Sequence, residues 1–143
     1  MILRLIAIAV LLGASALFYY WWQGRQGTVR RVERPGALTP AVLGSPRGGR
    51  ATFVQFSTPM CAKCPGTAVL LKRVAAEQPH VTHVEIDAAE RLDLARELNI
   101  MRTPTTLILN SDGIVVARMD GAPTEAQARE ALEAAPLPPE YAI

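Results

Sequence analysis

The chain reads as an α/β domain built on one mixed sheet with helices on both faces, carried behind a single N-terminal transmembrane helix. Three observations predict this. Strand-like runs rich in β-branched and aromatic residues alternate with helical patterns from Ala51 onward. The last two strands are joined by Asn110-Ser111-Asp112-Gly113, a hairpin turn, whereas the earlier strands are separated by helices. Leu5 to Trp22 runs 18 residues without a charge, just enough to cross a bilayer core of ~30 Å.

At 143 residues the chain allows one domain plus an appendage. The apolar run ends in Phe18-Tyr19-Tyr20-Trp21-Trp22, a cluster suited to a membrane interface. A cleaved signal peptide competes with the anchor. Arg4 would be its charged region and Ala14-Ser15-Ala16 its cleavage site. Cleavage there would leave Leu-Phe-Tyr-Tyr-Trp-Trp exposed, so residues 1–22 are read as an uncleaved anchor. Arg25, Arg30, Arg31 and Arg34 follow the anchor at once, and only Arg4 precedes it. Lys/Arg excess marks the cytoplasmic side, which places the domain there in a single-pass membrane protein.

Residues 23–50 are rich in Gly, Pro and Arg and read as a basic linker, with six arginines against Glu33. From Ala51 onward eight basic residues face twelve acidic ones. The net charge of +2 is therefore an average of a basic tether and an acidic domain. The arginines suit a solvated flank resting on anionic membrane lipid. No aromatics interleave with them, so nucleic acid is not expected as a partner. Leu38 to Gly44 is expected to add a short helix or strand.

The domain is placed at residues 51–135. Thr52, Phe53, Val54 and Phe56 suit a central strand, which Ser57, Thr58 and Pro59 stop. A helix follows from Cys61 to about Gln78, with Pro65 tolerated in its first turn. Val69, Leu70, Val74 and Ala75 can line its buried stripe. Pro79 ends it. Val81 to Asp87 is a strand with Val81, His83 or Val84, and Ile86 as apolar positions. Ala88 to Leu98 is a helix with Leu92, Leu94, Ala95 and Leu98 inside, and Asn99 is its left-handed cap. Thr105 to Leu109 is a buried strand, and Ile114 to Met119 pairs back on it. Thr124 caps a last helix to about Ala134, with Ala128, Ala131 and Leu132 facing the sheet. Pro136, Pro138 and Pro139 make 136–143 a loose tail.

The chemistry is expected at Cys61 and Cys64. Three residues apart at a helix start, the two sulfurs can share one face, near free N–H groups and the positive end of the helix dipole. Both favour thiolate. A Cys-x-x-Cys pair alone is also half a zinc site, and His80 and His83 follow. The His spacing is short for zinc, and some 14 residues of intervening helix span roughly 20 Å. No metal or organic cofactor is expected, and each His is read as an ordinary strand-end residue.

The Cys-Ala-Lys-Cys helix start, the strand before it, and Ile100-Met101-Arg102-Thr103-Pro104-Thr105 entering a strand together resemble the thioredoxin family. The resemblance covers about Ala51 to Leu132. More narrowly it is similar to short membrane-anchored thioredoxin-like proteins of actinobacteria. It implies a thioredoxin-like fold and a cis Thr103–Pro104 peptide beside the cysteines. It also implies that Thr103, Pro104 and Met60 meet the substrate, the Thr103 backbone pairing with a substrate strand.

The chain departs from the family in three places. Met60-Cys61-Ala62-Lys63-Cys64 stands where thioredoxins carry Trp-Cys-Gly-Pro-Cys. Gln55 stands where they carry a buried Asp that helps deprotonate the second cysteine, and Gln is not a base. Val69 stands where they carry a proline in the active-site helix. The Lys63 ammonium either favours a Cys61 thiolate, and so the reduced form, or is a solvated, screened charge.

The expected function is a membrane-tethered thiol–disulfide oxidoreductase, a protein-disulfide reductase. Cys61 is the nucleophile, Cys64 the resolving cysteine, and Lys63 and Gln55 tune the pair. Partners would be disulfide-containing proteins and a thioredoxin reductase or another dithiol donor. Two alternatives stand beside it. One is an extracytoplasmic reductase or oxidase of the cytochrome c maturation type. The other is a non-enzymatic redox-sensing binding module.

Overall fold

The computed structural model describes residues 1–25, 27–31 and 36–139. Arg34 and the end of the Pro-rich tail, residues 140–143, lie outside the described residues. Helix α1 spans Ile2–Gly24, 23 residues with no buried side chain. An all-round apolar surface of this kind suits burial in a protein core or a bilayer. At its end the Arg25 guanidinium sits 4.0 Å over the Trp21 ring.

The domain is organised on β2 (Ala51–Ser57), in which every residue is buried. Its register is parallel with β3 (Val81–Asp87) and antiparallel with β4 (Thr105–Asn110). Strand β5 (Val115–Asp120) returns beside β4 through the expected turn. There the Asn110 side chain accepts from the N–H groups of Asp112 and Ile114, and Gly113 takes φ +84°. With β1 (Val29–Arg31) at its edge, the sheet order is β1-β5-β4-β2-β3, a mixed sheet as expected.

Strand β1 (Val29–Arg31) lies within the stretch read as a linker. It pairs antiparallel with β5, Val29 opposite Met119, and Val29 packs on the core. Charge and Gly/Pro content masked it, because an edge strand needs only one apolar face and Arg30 and Arg31 point to solvent. Helix α2 (Pro40–Leu43) realises the short element expected near Leu38–Gly44, capped by Thr39. Two of the flank arginines also belong to the fold. Arg50 donates to the carbonyls of Leu132 and Ala135 and to Gln78 Oε1, and Arg47 donates to the Leu38 carbonyl.

Helices cover both faces. Helix α3 (Cys64–Glu77) and α5 (Glu125–Glu133) pack Leu71, Val74, Ala75, Ala128, Ala131 and Leu132 on the side chains of Phe53 and Ile108. On the other face α2 and α4 (Leu92–Glu97) bring Leu43, Leu94, Ala95 and Leu98 against Val54, Phe56 and Leu107. Each large apolar side chain buried there contributes roughly 1.5–3 kcal/mol. Thr124 caps α5 through a reciprocal pair with Gln127.

Two helices need correction. Helix α3 begins at Cys64, not Cys61. Its buried stripe is Cys64, Thr67, Ala68, Leu71, Val74 and Ala75, and Val69 is exposed. Val74 and Ala75 are buried as expected and Leu70 packs on the core, whereas Val69 faces solvent, because adjacent Val69 and Leu70 are both apolar and only contact with the sheet decides which faces in. Helix α4 begins at Leu92, not Ala88, and Leu92 itself is exposed. Asp87 Oδ1 takes the N–H of Ala89 and Glu90, forming a turn that delays the helix. Asn99 is left-handed with φ +57°, as expected of a helix end.

Gly48 is set by close approach. A Cβ on Gly48 would lie 2.2 Å from the Ala51 carbonyl oxygen and 2.6 Å from that of His80, both backbone atoms. Its N–H also donates to buried Thr52 Oγ1 at 2.9 Å. Gly48→Ala is expected to lower stability by about 1–3 kcal/mol. Gly66→Ala, in open space on α3, is expected to be neutral or to raise it by up to about 1 kcal/mol. Denaturant melts of the two variants check the contrast.

Candidate active site

Strand β2 delivers the chain to its C-terminal edge, where Thr58 to Lys63 turn into α3. Two backbone bonds build the turn. The Cys61 N–H donates to the Thr58 carbonyl at 3.1 Å, and the Cys64 N–H to the Cys61 carbonyl at 3.3 Å. Cys61 therefore sits in the turn and Cys64 on the first residue of the helix. Their Cα atoms are 5.4 Å apart and their sulfurs form a disulfide. The bond lies at the N-terminus of a 14-residue helix, where unpaired N–H groups and the helix dipole favour negative sulfur. The two cysteines differ in access. Cys64 is 2% exposed, whereas Cys61 is half-buried.

The surroundings of Cys61 are open. Met60 is 93% exposed and Lys63 is exposed as well. The Thr103–Pro104 peptide is cis, and Thr103 Oγ1 lies 3.2 Å from Thr58 Oγ1, joining the proline loop to the cysteine turn. Pro104 is buried, and its carbonyl accepts from the Gly121 N–H. From this junction a cleft of about 350 Å³ runs along Leu92, Ile100, Met101 and Arg102. Met101 is 84% exposed. Thr103, Pro104 and Met60 thus stand on the same edge of the sheet as the disulfide.

Gln55 is fully buried one layer below. Its Nε2 donates to the Cys64 carbonyl and to Ser57 Oγ, each at 3.0 Å. Its Oε1 lies 2.9 Å from His83 Nε2, and Ser57 Oγ donates to Glu85 Oε1 at 2.8 Å. His83 therefore requires correction: it is a mid-strand residue bonded to the network, not a strand-end residue. His80 lies at the far end of β3, beside the start of β2, where Arg50 N–H takes its carbonyl. The seven-residue strand that follows separates it from the cysteines by roughly 20 Å.

The residue sequence did not single out Ser57, Thr58 or Glu85. A signal existed in the strands themselves. Laid in parallel register, alternate residues of β2 and β3 share a face, which groups Gln55 and Ser57 with His83 and Glu85. Parallel register, however, is set by α3 packing across the sheet and is not visible in either strand alone.

A disulfide on a helix N-terminus, with one sulfur accessible and one covered, is the site of a protein that exchanges thiols and disulfides. The comparisons agree. A profile of the thioredoxin family matches residues 47–134. A thioredoxin of Methanocaldococcus jannaschii is 35% identical over 79 residues, 54% of this chain and 87% of that protein. Thioredoxin f from spinach chloroplast superposes with a TM-score of 0.54 at 29% identity, over 62% of this chain and 72% of its own. Thioredoxin from Fasciola hepatica gives 0.54 at 25% identity, over 62% and 84%. The chain belongs to the thioredoxin family. It is a thiol–disulfide oxidoreductase with a redox-active cysteine pair, which exchanges with disulfide substrates and dithiol reductants.

Burial lowers the His83 pKa from 6.5 to about 4, helped by the Lys72 ammonium and opposed by the Glu85 carboxylate. Between those values the unfolded chain binds a proton that the folded chain refuses. Stability from this group is full above about pH 6.5 and falls as pH drops toward 4. His83→Gln should flatten that part of the pH–stability curve relative to wild type. Urea midpoints taken from pH 7 to pH 4 check it.

Proposed function

We propose that the protein is a membrane-tethered reductase of protein disulfides. Cys61 attacks the substrate disulfide and Cys64 resolves the mixed disulfide. The observation that carries the roles is the difference in access: Cys61 is half-buried in the turn before the helix and Cys64 is covered. The Thr103 backbone, Pro104 and the exposed Met60 would hold an extended substrate segment along the cleft, with main-chain bonds supplying affinity. The Lys63 ammonium beside the pair would favour thiolate at Cys61. Gln55 would set the position of Cys64 through its carbonyl. A thioredoxin reductase or another dithiol would return the electrons.

The roles predict distinct trapping. Cys64→Ser should accumulate covalent mixed disulfides through Cys61, because resolution is lost. Cys61→Ala should accumulate none. Non-reducing gels read both, and equal trapping would reverse or dissolve the assignment.

The tether is supported by α1, whose length and composition suit a membrane span. We place residues 1–22 as the anchor. The domain begins earlier than residue 51, with β1 only a few residues past α1. Arg25, Arg30 and Arg31 follow the anchor closely, and moving each outward costs ~2.3 kcal/mol per 100 mV of membrane potential. The domain then faces the cytoplasm, where the resting pair is reduced. In intact cells, after mild reduction, a membrane-impermeant maleimide should leave Cys61 unlabelled until lysis. Labelling without lysis, or a mature chain starting at Leu17, would establish the extracytoplasmic alternative instead.

A further inference from the structure

Resolution requires a proton to leave the Cys64 thiol, which is 2% exposed. Gln55, the side chain packed against its turn, has no basic atom. The hydrogen bonds around Gln55 nevertheless have one direction. The Cys64 carbonyl carries no proton, so the Gln55 amide nitrogen must face it, and Oε1 must face His83. His83 Nε2 is then the donor. The second Gln55 N–H points to Ser57 Oγ, so the Ser57 hydroxyl proton points to Glu85 Oε1. The chain of donors ends on an exposed carboxylate. Ser57 Oγ and the Cys64 carbonyl oxygen both accept from Gln55 Nε2 at 3.0 Å, which keeps the hydroxyl within about 6 Å of that carbonyl.

We propose that Glu85, acting through the Ser57 hydroxyl, accepts the Cys64 proton when the mixed disulfide is resolved. The inference rests on the roles given above for Cys61 and Cys64. The Cys64 S–H proton passes to Ser57 Oγ while the Ser57 proton passes to Glu85. This leaves a Cys64 thiolate, a neutral serine and a carboxylic acid. The thiolate attacks Cys61 Sγ, the Cys61–Cys64 bond forms, and the Cys61–substrate bond breaks. Its electron pair leaves on the substrate sulfur as thiolate. Glu85, in solvent, passes its proton to that thiolate or to water. The protein dithiol is oxidised by two electrons and the substrate disulfide is reduced by two.

The other charged groups nearby do not compete. The His83 Nε2 proton is committed to Gln55, and its Nδ1 is buried with no hydrogen-bond partner among the described residues. The Lys72 ammonium on α3 and the Glu85 carboxylate both act on that ring, which stays neutral at pH 7. Asp87, next on the same face of β3, holds the N–H groups of Ala89 and Glu90.

Full-length protein in detergent micelles, reduced and mixed with a disulfide-bonded peptide, tests the proposal. Acid-quenched mass spectrometry counts the mixed disulfide with time from pH 5 to pH 10. Glu85→Gln and Ser57→Ala should each leave its formation unchanged and slow its decay tenfold or more at pH 7. Decay should recover toward wild type as pH rises, because hydroxide then takes the proton. Glu85→Asp should restore part of the rate, and the double variant should be no slower than either single one. Wild-type decay in Glu85→Gln overturns the proposal. So does slow decay at every pH with a lowered Tm, the mark of a structural role. Cys64→Ser in the same series separates the two levels. If it fails to accumulate the mixed disulfide, the cysteine roles fall and this proposal with them. If it accumulates while Glu85→Gln decays normally, only the proton route is wrong.

Discussion

The structure depends on the complete burial of β2. A strand covered on both faces and paired on both edges has no water to satisfy its polar groups. Gln55 at its centre must find every partner within the protein, and it does so through Cys64, Ser57 and His83. One of those partners is the backbone of the active-site helix. The same constraint that stabilises the sheet therefore holds the first turn of α3, and with it the buried sulfur. An amide suits this place because it donates and accepts at once, whereas an unpaired buried carboxylate would be costly to keep ionised.

The asymmetry of the cysteine pair follows from where the helix begins. The turn from Thr58 to Lys63 keeps Cys61 outside the helix and near solvent. Cys64, as the first helical residue, rotates into the stripe that packs on the sheet. The proline loop is held against the same turn by the Thr58–Thr103 contact, and the cleft opens at those two threonines. Neither an ordinary solvent-exposed pair nor a fully buried one would give the two sulfurs this difference in access.

The N-terminal flank serves more than one purpose. Arg47 and Arg50 join the domain by bonding carbonyls, Arg50 at the C-terminal end of α5, where a cation is favoured. Arg30 and Arg31 lie exposed on β1. Pairing β1 with β5 shortens the free chain between α1 and the sheet to a few residues, so the domain is held close to the end of that helix.

Much was legible in the chain because it is local. The Phe-and-Val-rich run at 51–57, the hairpin turn at Asn110–Gly113, the Thr124 cap and the Asn99 helix end all act through neighbours a few residues away. The Cys-x-x-Cys spacing likewise named the redox pair, since two thiols three apart are visible as residues. The inward rotation of Ala68 and Leu71 rather than Val69, and strand β1, were not legible. Each depends on which surface is packed against it. The Gln55–Ser57–His83–Glu85 network was also hidden, because its members lie up to 30 residues apart and meet only through the parallel register of β2 and β3. The sequence by itself determined the kind of chemistry, through the cysteines. The tertiary structure alone decided which cysteine is covered and which groups surround it, because burial and register are properties of packed elements and not of any single stretch of chain.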